Sequence, residues 1–130
     1  MEIRDSNKNL LAIVHYDNNF VNGKNFYTQP ESEFQFGSFS LNEGEEIIPH
    51  IHEPQERNIS KTSEGIVVIS GEVAVQIYSV DKIKVCDLNL VKGDALLILD
   101  GGHSLKMNKD TKFVEFKQGP YYQEIDKERF

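Results

Sequence analysis

Apolar and polar positions alternate with a period of two along much of the second half of the chain. Val73, Val75, Ile77 and Ser79 alternate with Ala74, Gln76, Tyr78 and Val80, and Ile83, Val85, Asp87 and Asn89 with Lys84, Cys86, Leu88 and Leu90. A period of two places alternate side chains on opposite faces of a strand. A denser, β-branched run at 64–69 predicts a buried strand. Shorter runs at 10–14, 34–41, 47–52, 95–99, 103–107 and 112–117 complete the set. In the 34–41 run the apolar register changes, and a bulge near Gly37 is expected to reconcile its halves. Turn-forming clusters separate the runs: Asp17-Asn18-Asn19, Asn22-Gly23-Lys24, Ser70-Gly71-Glu72, Lys92-Gly93-Asp94, Asp100-Gly101-Gly102 and Asn108-Lys109-Asp110. Residues 1–9 read as a loose lead-in, 53–61 as a polar loop, and 119–130 as a charged tail with room for a turn or two of helix. Many short strands between turns predict an all-β sandwich or barrel. Its core is expected to hold Ile66, Val68, Val73, Val75, Ile77, Leu97 and Leu105.

Length and charge narrow the classes. A chain of 130 residues suits one domain, and at 38% hydrophobic residues it has no run near the ~20 that span a bilayer. The polar start gives no secretory signal, and Cys86, the one cysteine, has no intrachain disulfide partner; both lead us to expect a reducing, cytoplasmic setting. The net charge of −7, with no basic cluster, argues against nucleic acid and anionic membranes as partners.

The candidate chemistry centres on His50-Ile51-His52. On a strand, residues i and i+2 point the same way, roughly 6.5 Å apart, and two imidazoles there converge on one cation. Glu64 opens the apolar run, and His103 follows two glycines. Three histidines and a carboxylate suit one divalent metal ion, with Zn, Mn, Fe and Ni all compatible. Glu56 is the alternative to Glu64. Glu115 and Lys117 share a strand face and would either line a cavity or form an exposed ion pair. Arg57 offers a planar fork for a carboxylate or phosphate, and Tyr121 would close a cavity mouth or simply pack. His15 and Cys86 read as structural. There is no Ser–His–Asp arrangement, phosphate-binding glycine loop or CxxC.

With these residues in place, the chain resembles a single-domain cupin. Gly44, His50 and His52 match the front half of the first cupin motif, and Glu64 and Gly71 its back half. Gly93, Gly101, His103 and, loosely, Asn108 match the second. The gap from His52 to Glu64 is longer than in the family, Leu99 stands where a proline is usual, and His103 comes one residue early. The stretches Arg57-Asn58-Ile59, Gly101-Gly102-His103 and 117–121 also look like a group of bacterial cupins encoded near genes for surface polysaccharide and nucleotide-sugar synthesis. The resemblance implies a double-stranded β-helix, or jelly roll, with a barrel core over 34–118, N-terminal strands and loops over 1–33 and a tail over 119–130. It implies metal bound by His50, His52, Glu64 and His103, and a homodimer. It also implies a small sugar-derived ligand held with help from Arg57, Lys117 and Tyr121. Two functions follow: a metal-dependent isomerase or epimerase with Glu115 as base, or a non-catalytic module that binds a sugar or organic acid.

Overall fold

The structure is a computed structural model describing residues 1–122 and 127–130; the part of the expected tail at 123–126 lies outside the described residues. Two compact units are distinguished, one of Met1–Asp17 with Lys61–Phe130 and one of Asn18–Ser60.

The first unit is an antiparallel β-sandwich. One sheet has five strands: β1 (Glu2–Arg4) and β2 (Leu10–His15), then β5 (Glu64–Ser70), β8 (Ala95–Ile98) and β10 (Lys112–Lys117), in the spatial order β1-β2-β8-β5-β10. The other has three, β6 (Glu72–Tyr78), β7 (Lys84–Val91) and β9 (Gly102–Met107), ordered β7-β6-β9. The expected all-β class is therefore observed. Both sheets are open, with edge strands, and do not close into a hydrogen-bonded barrel. No helix among the described residues is long and apolar enough to cross a membrane.

One core joins the two sheets. β6 shows the expected alternation: Val73, Val75 and Ile77 are fully buried, and the residues between them are half-buried. They meet Ile66, Val68, Leu96 and Ile98 from the other sheet, with Leu105 and Cys86 packed at the margin. Leu97 is buried as expected. The turn from β5 to β6 requires glycine, because Gly71 has φ +88° and a Cβ there would lie 2.3 Å from the Asp110 carbonyl oxygen.

β1 was not visible in the pattern. Residues 1–9, expected as a lead-in, pair with β2 in the register Glu2↔Ile13 and Ile3↔Ala12. Only Ile3 is buried, so a three-residue strand leaves no periodic trace.

The second unit holds β3 (Gly23–Phe26) and β4 (Gly37–Ser40), paired antiparallel with Gly23 opposite Ser40. Phe26 and Phe39 stack edge to face at 5.8 Å. The expected turn at 22–24 is partly strand, and the expected 34–41 strand shrinks to its second half, starting at Gly37 where the register changed. The expected strand at 47–52 is irregular chain. Pro49 lacks the N–H that a ladder needs, and Ile47, Ile48 and Ile51 are exposed, so no buried face rewards pairing.

Candidate functional site

Glu64 begins β5 on the inward side of the sandwich, in line with Ile66 and Val68. Only 8% of its side chain is exposed. A buried carboxylate is costly unless it is paired. Its partner comes from the other sheet: His103 Nε2 lies 3.4 Å from Glu64 Oε1. His103 sits opposite Ile77 in the β6–β9 pairing and so shares its inward direction. The turn that delivers it needs glycine, because Gly101 has φ +72° and a Cβ there would meet the Tyr78 carbonyl oxygen at 2.2 Å.

Lys117 is the direct neighbour of Glu64 across the β5–β10 pair. Its ammonium lies 3.6 Å from Glu115 and 4.4 Å from the centre of the Tyr121 ring, a cation–π distance. The two strand residues thus share a face, as expected, with Lys117 the less exposed of the two and Glu115 the more exposed. The His103 imidazole beside Glu64 holds its carboxyl below the usual carboxylate range. Burial pushes the other way, and the charges of Lys127 and Lys117 add to the lowering.

Glu64, His103 and Lys117 line a cavity of about 780 Å³ within the first unit, a size common for small-molecule sites. Segment 127–130 forms part of its wall. There Phe130 meets Tyr78 edge to face at 5.2 Å, and Glu128 pairs with Lys82 at 2.7 Å. Nothing in the sequence singles out Lys127, Tyr78 or Lys82 as cavity residues. No local pattern marks a tail contact with a strand far away in sequence; the aromatic end of a charged tail was the only available signal.

The other expected site residues lie in the second unit. His50 and His52 are exposed on irregular chain, with ring centres 5.1 Å apart and planes at 73°. His50 Nδ1 is 2.9 Å from the Ile48 carbonyl oxygen. The two rings are neighbours, as the H-x-H spacing implied, but on a loop rather than a strand. Glu56 and Arg57 are also exposed on irregular chain. Among the described residues no group of three or more His, Cys, Asp or Glu side chains is placed to hold a metal ion.

Comparison of the chain with protein-family models, with curated proteins and with solved structures gives no match.

Proposed function

We propose that the chain is a metal-binding, cupin-type jelly roll whose cavity takes a small sugar-derived ligand. One observation carries this: Glu64 and His103, brought from opposite sheets to 3.4 Å, face a cavity of ligand size. That distance is longer than the ~2.7–2.9 Å of a charge-assisted hydrogen bond. It matches the separation of two neighbouring donors that each lie ~2.0–2.2 Å from a shared cation. The residues present therefore fit half of a metal site. A metal held there would act as a Lewis acid on a ligand oxygen. Glu115, paired with Lys117, is the base in an isomerase or epimerase reading, and Lys117 and Tyr121 border the ligand. In keeping with this reading, Cys86 is a free thiol, which suits a reducing cytoplasm. The apolar Ile69, Val114 and Phe116, exposed on the outer face of the five-stranded sheet, favour a homodimer.

A non-catalytic binding module is the second reading. It is favoured by Glu64 and His103 standing 3.4 Å apart, so that each supplies the other's partner without a cation. Elemental analysis of protein purified without an affinity tag separates the two. Stoichiometric metal that is lost in Glu64→Ala and His103→Ala supports the metal site. The same measurement on His50→Ala with His52→Ala shows whether the H-x-H pair supplies further ligands. Wild-type protein without metal, melting at one temperature with or without chelator, leaves the binding module.

A further inference from the structure

The chain carries a net charge of −7, yet among the described residues the charged side chains lining its cavity are four cations against three carboxylates. Lys82, Lys117, Lys127 and Arg129 stand against Glu64, Asp100 and Glu128. Two of the acids are already matched: Asp100 pairs with Lys61, and Glu128 with Lys82 at 2.7 Å. Outside those pairs, Lys117, Lys127 and Arg129 line the cavity with Glu64 as the facing acid. Lys117 is the best placed of them. Its side chain is only 20% exposed, and its nearest carboxylate, Glu115, is 3.6 Å away, beyond a tight ion pair. A half-buried ammonium that is loosely paired inside a low-dielectric wall attracts an anion more strongly than one on open surface. Ser104 and Thr62 add hydroxyls to the lining, and the volume admits a monosaccharide or somewhat more.

We propose that this cavity binds a small hydroxylated anion, a sugar acid or a sugar phosphate. Lys117 and Lys127 grip its charge, and Glu64 and His103 meet its hydroxyls. The inference rests on reading the cavity as the ligand site and is independent of whether a metal is present. Carboxylate and phosphate share the chemistry a lysine recognises. Two probes distinguish them.

The test is calorimetric titration of the full chain, with and without chelator, using glucuronate, glucose 6-phosphate and glucose. At least one of the two anions is expected to bind at least ~10-fold more tightly than glucose, with affinity falling as salt rises. Lys117→Met should weaken that binding ~10-fold or more, as expected for a lost charge-assisted contact. Lys127→Met, on an exposed segment, should weaken it a few-fold. Lys92→Met, in the turn between β7 and β8, should leave it unchanged. If Lys117→Met fails to fold, Lys127→Met decides. The proposal is overturned if neither anion binds, if glucose binds as well as the anions, or if the cavity lysine variants bind like wild type. Lysine-dependent anion binding by a protein without metal sinks the metal reading and leaves this one standing. Metal held at Glu64 and His103 without anion binding does the reverse.

Discussion

Glu64 and His103 meet across the sandwich, one from the five-stranded sheet and one from the three-stranded sheet, with Oε1 and Nε2 3.4 Å apart. The contact makes the two sheets report on each other. His103→Ala leaves Glu64 buried without its principal partner, which should cost about 1–3 kcal/mol. Glu64→Gln together with His103→Ala removes the orphaned charge and should recover part of that loss. Urea unfolding of the three proteins in chelator, so that metal plays no part, measures both effects. Equal stability of wild type and His103→Ala would show that the pair contributes nothing to the fold.

This contact also shows what was legible in the chain. Glu64 stands out in the sequence because it opens a buried strand, and His103 because two glycines precede it. The structure places them together because alternation along β5 and β9 sends both inward. Strand alternation is local, so it was readable: β6 and β10 match their expected runs closely. What was not readable is non-local. β1 is formed by its pairing with β2, and the cavity wall at 127–130 is set by contacts with residues far away in sequence, Tyr78 and Lys82 among them. For 47–52 the apolar content suggested a strand, but Pro49 and the lack of a buried face removed both the ladder and its reward.

The outer face of β5 and β10 gives a sharp packing prediction. Gly65 lies opposite Phe116, and a Cβ added to it would sit 2.1 Å from the ring. Gly65→Ala should therefore displace the ring and destabilise the protein by about 1–3 kcal/mol. Phe116→Ala removes the obstacle, so the double variant should be more stable than the sum of the single losses predicts. A strictly additive cycle by chemical denaturation would mean that the ring does not rest on the glycine.

Two glycines with nearly the same positive φ should respond differently to the same substitution. Gly71 and Gly23 have φ of +88° and +93°, but a Cβ on Gly71 meets backbone at 2.3 Å, whereas nothing lies within 4 Å of one on Gly23. Gly23→Ala should cost about 1–2 kcal/mol, the strain of a left-handed alanine. Gly71→Ala adds a clash with a carbonyl that cannot rotate away, and its loss should be larger, beyond about 2 kcal/mol. Comparing the two melting temperatures is enough to check the order.

The histidines of the H-x-H stretch should be nearly silent in stability. His50 and His52 are exposed on irregular chain, so replacing both by alanine in chelator should move unfolding by no more than about 0.5 kcal/mol. Ile77→Ala, which empties a fully buried position between the sheets, should cost about 2–5 kcal/mol. A large loss from the histidine pair without metal would mean that 47–52 is packed more tightly than its exposure shows.

Cys86 gives the pH-dependent prediction. Burial pushes its thiol above the ordinary cysteine range, and the neighbouring Asp87 carboxylate adds to the rise. The thiolate is the nucleophile, so a raised pKa lowers the reactive fraction at any pH below it. Alkylation by iodoacetamide at pH 8 should be slower in the folded protein than in urea, where the thiol returns to roughly 8.5. The folded rate should still be climbing at pH values where the unfolded rate has levelled off. Asp87→Asn removes the charge but not the burial, so it should bring the midpoint of the folded profile down only part of the way. It also removes the ion pair with Lys84 on the exposed side of the sheet, while the asparagine oxygen still accepts from the Gln76 amide. A folded profile that coincides with the unfolded one would show that Cys86 is open to solvent and not packed at the margin of the core.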